Sequence, residues 1–192
     1  MEINYLKPTW EEYHELSQKL AEKLIIKEKP FDRIIGIARG GLTLGHIMSD
    51  FLRIPISMIA IQSYTDIKQQ GQVTITGILH TSIKTQRVIL VDDVADTGKT
   101  LVRAESYLRS YQPESITTAT LYFKPRSIFK PDYHIIETTK WILFPYEVTE
   151  MIILLSQKLV EEGKTKTEIQ AELKKIGYSE DQISYVRRHF LK

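Results

Sequence analysis

The stretch at residues 88–100, VILVDDVADTGKT, constrains this chain more than any other part of it. Residues 87–91 form a near-continuous apolar run, without the alternation of a strand that has one wet face. That pattern predicts a central parallel strand covered on both sides. The run ends in two adjacent carboxylates, Asp92 and Asp93, and Asp96, Thr97, Gly98, Lys99 and Thr100 then open a helix. A helix start presents unbonded backbone N–H groups and a partial positive charge, so the turn is an anion site. Thr97 and Thr100 add hydroxyl donors, and Gly98 lets the backbone approach an oxyanion closely. The Gly-Lys-Thr triplet does not make a nucleotide-triphosphatase loop, because the glycine required five positions before Gly98 is Asp93 here. Carboxylates beside a phosphate cradle suit a sugar phosphate: they accept hydrogen bonds from vicinal hydroxyls and can assist a divalent cation.

The flanking sequence places this turn in an α/β fold. Thr9 and Glu12 make a capping-box pattern, followed by Trp10, Tyr13, Leu16, Leu20 and Leu24 at helical spacing, and Pro30 closes the segment. A short strand at 33–38 runs into Gly40 and Gly41, after which Leu44, Ile47, Met48, Phe51 and Leu52 mark one helix face. Residues 56–61 read as a strand, and the polar stretch 62–72 with the alternating residues 73–79 as a long exposed hairpin. After the central turn, Leu101, Ala104, Leu108 and Tyr111 line a helix, with further strands at 116–122, 133–136 and 141–144. Beyond Val148 helical patterns dominate, with capping boxes at Thr165/Glu168 and Ser179/Gln182 and a stop at Gly177. The order predicts a mostly parallel sheet flanked by helices over residues 1–147 and a helical C-terminal extension over 148–192. Ligands of such sheets bind at the carboxyl ends of the strands, which points to the loops after Ala38, Val91 and Tyr122.

Composition removes several function classes. Lys+Arg at 26 against Asp+Glu at 24 leaves +2, without the basic excess expected of a nucleic-acid or acidic-membrane binder. The absence of cysteine excludes disulfides, cysteine nucleophiles and thiolate zinc sites, and it fits a reducing cytoplasm. No run approaches a membrane span, and the acidic N-terminus does not read as a signal peptide. The expected location is the cytoplasm, with neither a membrane nor a nucleic acid as partner.

The turn at 92–100 resembles the 5-phosphoribosyl 1-diphosphate (PRPP) binding motif of type I phosphoribosyltransferases. The resemblance implies that family's fold, with a small hood. It also implies that Asp92 and Asp93 bind the ribose hydroxyls and an associated Mg²⁺. Asp96, Thr97, Gly98, Lys99 and Thr100 would hold the 5′-phosphate, with Asp96 near the base as the catalytic proton acceptor or donor. Ala38-Arg39-Gly40-Gly41 would bind the diphosphate through one cation and exposed amides, with a cis peptide beside Arg39 or Gly40. Ser63-Tyr64 matches the start of a loop that closes over PRPP in 6-oxopurine enzymes.

The segments Leu121-Tyr122-Phe123-Lys124-Pro125 and Trp141-Ile142-Leu143-Phe144-Pro145-Tyr146-Glu147 resemble bacterial xanthine-guanine phosphoribosyltransferases. That resemblance implies that Lys124 donates to the purine 6-oxo group, Trp141 stacks on the base and Ile142 offers backbone contacts to its edge. Glu147 falls where the family has an aspartate at a second Mg²⁺, one methylene shorter. The expected activity is transfer of phosphoribosyl from PRPP to N9 of guanine, xanthine or hypoxanthine, by a homodimer or homotetramer. Two other readings are a non-catalytic PRPP-sensing regulator of the same fold that binds nucleic acid, and a transferase for another nucleobase. The low net charge disfavours the first, and Lys124 with the Trp141 segment disfavours the second.

Overall fold

The computed structural model describes residues 4–27, 30–63 and 73–191. In chain order the elements are β1 (Tyr5–Leu6), α1 (Trp10–Lys27), β2 (Arg33–Ala38), α2 (Gly40–Leu52), β3 (Ile56–Ser63), β4 (Val73–Gly77) and β5 (Arg87–Ala95). There follow α3 (Lys99–Arg109), β6 (Ser115–Phe123), β7 (Tyr133–Glu137), β8 (Trp141–Ile142), α4 (Val148–Glu161), α5 (Lys166–Ile176) and α6 (Glu180–His189). The chain forms two compact units, one of His14–Thr139 and one of Met1–Tyr13 with Lys140–Lys192.

The larger unit is built on a six-stranded sheet of order β4-β3-β2-β5-β6-β7. Every neighbouring pair is parallel except β3 with β4. The central place of β5 follows from its sequence: Val88, Ile89, Leu90 and Val91 are wholly buried, as a strand covered on both faces requires. From β2 the chain crosses through α2 to β3 on one side, and from β5 it crosses through α3 to β6 on the other. The two windings part between β2 and β5, and the crevice at the carboxyl ends of those strands is the ligand position of open parallel sheets.

Period-two alternation sends successive side chains to opposite faces. Ile35 and Ile37 of β2 and Val88 and Leu90 of β5 pack with Leu101, Ala104 and Leu108 of α3. On the other face α2 lies close enough for backbone contact. A Cβ on Gly41 would stand 2.4 Å from the Val91 carbonyl oxygen, and one on Gly45 would stand 2.7 Å from Cδ1 of Ile56.

Two strands run two or more residues past the end that their apolar patterns predict. The expected strand 87–91 continues through Asp92 and Asp93 to Ala95, because β6 supplies ladder partners that far: Asp92 faces Thr120, Val94 faces Tyr122 and Ala95 faces Phe123. The carboxylates therefore belong to the strand end and not to the turn. The strand expected at 56–61 reaches Ser63, where Val73 of β4 pairs with it.

The smaller unit joins a two-stranded parallel ribbon, Tyr5 opposite Trp141 and Leu6 opposite Ile142, to three helices. Its core is Met151, Ile152 and Leu155 of α4, Ile169 and Leu173 of α5, and Ile183 and Val186 of α6. Both expected capping boxes of this region are formed, at Thr165/Glu168 and Ser179/Gln182, and Gly177 ends α5 with φ +99°. Lys7 donates to the Gly177 carbonyl at 2.8 Å and its ammonium lies 4.9 Å from the Tyr178 ring centroid. Among the described residues no helix is long and apolar enough to cross a membrane.

Candidate functional site

The turn between β5 and α3 is built around a glycine. Gly98 caps α3 at φ +79°, a left-handed conformation that favours glycine. A Cβ there would also stand 2.5 Å from Oγ of Ser127 and 2.6 Å from the backbone nitrogen of Phe129. Gly98 offers no capping oxygen and the first turn of α3 carries no acid. The amides that a capping side chain would otherwise occupy remain for an anion, and the helix dipole favours it there.

Beside that turn, the β2–α2 connection meets the end of β5. Asp92 and Asp93 are both buried, and the Asp93 amide donates to Oδ1 of Asp92 at 3.0 Å. A Cβ on Gly40 would lie 2.3 Å from Oδ2 of Asp93, so only glycine fits between the two loops. Arg39 is exposed at the start of α2, and the Ala38–Arg39 peptide is cis, at one of the two places the sequence indicated. Arg39, Gly40, Gly41, Asp92, Asp93 and the Asp96–Thr100 turn thus share the edge where β2 and β5 end.

The β6–β7 loop closes this edge from the far side. Lys124 is only 6% exposed and its amide donates to the Ala95 carbonyl at 3.0 Å. Burial holds its ammonium below the usual lysine range, and Arg126 adds to that lowering while Asp96 opposes it. The loop then crosses the phosphate turn: the Ser127 amide donates to the Lys124 carbonyl at 2.9 Å, and the Ile128 amide to the Thr97 carbonyl at 3.0 Å. Arg126 reaches Asp96 with two donors, Nε at 2.8 Å and Nη2 at 2.5 Å, both on Oδ1. Sequence reading missed Arg126. Its only signal there was a second cation two places after Lys124, and its partner is thirty positions away.

The remaining expected site residues belong to other elements. Ser63 is the last residue of β3, and Tyr64 lies outside the described residues. Trp141, Ile142 and Glu147 belong to the smaller unit. The Trp141 ring is half-buried, 6.0 Å from that of Tyr5, and packs on the helical core. The Trp141 and Leu143 amides donate to the carbonyls of Asn4 and Leu6. Ladder alternation therefore turns the N–H and C=O of Ile142 away from β1. Glu147 stands at the N-cap of α4, and its charge contributes to raising the Tyr178 phenol.

No cluster of three or more His, Asp or Glu side chains is gathered as a metal cage among the described residues. Mg²⁺ commonly binds through one or two carboxylates completed by substrate phosphates and water. The buried pair of oxygen donors at Asp92 and Asp93 fits that manner of binding.

Comparison with known proteins agrees with this architecture. Residues 9–150 match the family model of the phosphoribosyl transferase domain. The chain is 34% identical over 155 residues to a xanthine-guanine phosphoribosyltransferase of Nitratidesulfovibrio vulgaris, covering 78% of this chain and 90% of the relative. A purine phosphoribosyltransferase from Pyrococcus horikoshii superposes with a TM-score of 0.69 at 37% identity, over 74% of this chain and 93% of that one. The xanthine-guanine-hypoxanthine phosphoribosyltransferase of Helicobacter pylori shares the fold, with a TM-score of 0.67 at 24% identity over 78% of this chain and 97% of that one. With the family model spanning most of the chain, and the strand-end carboxylates and glycine turns in place, this protein belongs to the phosphoribosyltransferase domain family.

Proposed function

We propose that the protein transfers the 5-phosphoribosyl group of PRPP to N9 of a 6-oxopurine, with release of pyrophosphate, in purine salvage. The observation that carries this reading is the meeting of two anion-binding loops with a buried carboxylate pair at the β2/β5 switch point, closed by a loop that carries a buried lysine. The turn at 96–100 would take the 5′-phosphate on the amides of α3 and the hydroxyls of Thr97 and Thr100. Arg39 and the Gly40 and Gly41 amides would hold the diphosphate and stabilise the charge it gains on leaving. Asp92 and Asp93 would accept from the ribose hydroxyls and fix C1′ toward the base, so that much of the catalysis is positioning.

Bound Mg²⁺, held by Asp92 and Asp93, would neutralise charge on the leaving diphosphate; Glu147 is proposed as a further metal contact. Asp96 would take the N7 proton as N9 attacks. Lys124 would donate to O6, an acceptor that adenine lacks, and the names of the N. vulgaris and P. horikoshii relatives agree with a purine acceptor. Trp141 would stack on the base, Ile142 would contact its edge, and Ser63 and Tyr64 would bind PRPP. The protein is read as a cytoplasmic homodimer or homotetramer that acts on small molecules.

Pyrophosphate release from PRPP and Mg²⁺, measured with and without each nucleobase, tests the proposal. Release that depends on an added 6-oxopurine supports it, and PRPP binding without turnover on any base supports the regulator instead.

A further inference from the structure

We infer that Arg126 is a positioning residue for Asp96, holding one oxygen of its carboxylate so that the other is kept for the purine proton; this rests on the function proposed above. Nε and Nη2 of Arg126 both fall on Oδ1 of Asp96, at 2.8 and 2.5 Å. Oδ2 takes part in no hydrogen bond among the described residues. A carboxylate gripped at one oxygen by two donors of a planar guanidinium has lost its freedom to rotate, and rotation would exchange the two oxygens.

The grip is built on a fixed loop. Oγ of Ser127 donates to the Phe129 carbonyl at 2.8 Å, and the Ile128 amide bonds to the carbonyl of Thr97, the residue next to Asp96. The close seat of Gly98 against Ser127 and Phe129 fixes the same loop one residue further along the turn. Arg126 therefore reaches Asp96 from a backbone already registered against the turn. Folding stability does not account for the pair: the two side chains are 66% and 43% exposed, and ion pairs so exposed contribute little.

The step this serves balances as follows. The base binds with a proton on N7. As the N9 electron pair forms the bond to C1′, the bond from C1′ to the diphosphate oxygen breaks and its electron pair leaves with the diphosphate. The N7 proton passes to Oδ2 of Asp96. A carboxylate free to turn would present Oδ2 in only part of its orientations, and small misplacements of a reacting group are costly in rate.

Steady-state kinetics of the parent protein, Arg126→Ala, Arg126→Lys, Asp96→Asn and the Arg126→Ala/Asp96→Asn double variant test the inference, with thermal unfolding of each as a control. Arg126→Ala should lower kcat by about 10–100-fold while KM for PRPP stays within about twofold and the unfolding temperature is unchanged. Arg126→Lys, which can still donate to Oδ1, should recover part of the loss. The double variant should be no slower than Asp96→Asn alone, because Arg126 acts only through that carboxylate. Wild-type kcat in Arg126→Ala, or losses that multiply in the double variant, would overturn the inference and leave the proposed function standing. A parent protein that forms no nucleotide from any base removes the proposed function, and this inference with it.

Discussion

Gly40 lies against the carboxylate of Asp93: a methyl group on its Cα would stand 2.3 Å from Oδ2. The diphosphate loop and the end of β5 are therefore one assembly, and a change in either moves the other. Gly40→Ala should displace Asp93, weakening PRPP binding about 10-fold or more and lowering stability by about 1–3 kcal/mol through overpacking. Gly41→Ala meets the Val91 carbonyl oxygen at 2.4 Å, a backbone atom that no rotamer change can relieve. It should destabilise the fold more than Gly40→Ala does. Calorimetric PRPP titration and urea unfolding of both variants separate the two effects.

Asp96→Asn retains the shape of the turn and removes the proton acceptor. Turnover should fall by about 10²–10⁴-fold, the usual range for a general base, with KM for PRPP nearly unchanged. Equal losses in turnover and PRPP affinity would assign Asp96 to binding alone.

Lys124 is nearly enclosed, and its burial is what lowers its proton affinity. Lys124→Ala should raise KM for guanine and hypoxanthine by about 10-fold or more, the worth of a charge-assisted hydrogen bond, and leave PRPP binding intact. Unchanged purine kinetics would take Lys124 out of the base site.

The smaller unit carries a pH-dependent stability of its own. Burial, with Glu147 and Tyr5 adding to it, pushes the Tyr178 phenol from 10.0 up to about 12. Below pH 10 the phenol is protonated in both folded and unfolded chains. Between about 10 and 12 the unfolded chain releases its proton while the folded one retains it, so stability falls as pH rises, by about 1–2 kcal/mol after solvent screening. Urea midpoints at pH 8, 10 and 11 should therefore decline less in Tyr178→Phe than in the parent protein. Parallel declines would contradict the assignment.

Much of this architecture was legible in local patterns. The capping boxes at Thr9/Glu12, Thr165/Glu168 and Ser179/Gln182 are formed because each needs residues only three positions apart. The apolar run 88–91 identified the central strand, since burial on both faces leaves a composition signal. The true end of β5 was not legible: Asp92 and Asp93 look like a turn until Thr120 and Tyr122 of β6 supply ladder partners for that stretch. The grip of Arg126 on Asp96 was hidden for the same reason, because tertiary pairing across thirty positions has no spacing rule. The glycines at 40 and 41 were read for the amides they expose. That they also make room for Asp93 and Val91 became visible only when the loops were seen together.

The most direct test of the central claim is product formation from PRPP and Mg²⁺ with guanine, xanthine, hypoxanthine or adenine, each supplied separately and followed by chromatography of the nucleotide. The account predicts the N9-linked 5′-monophosphate of at least one 6-oxopurine and none from adenine. Adenine turnover with none of the 6-oxopurines used, or no nucleotide from any base while PRPP binds, would contradict it.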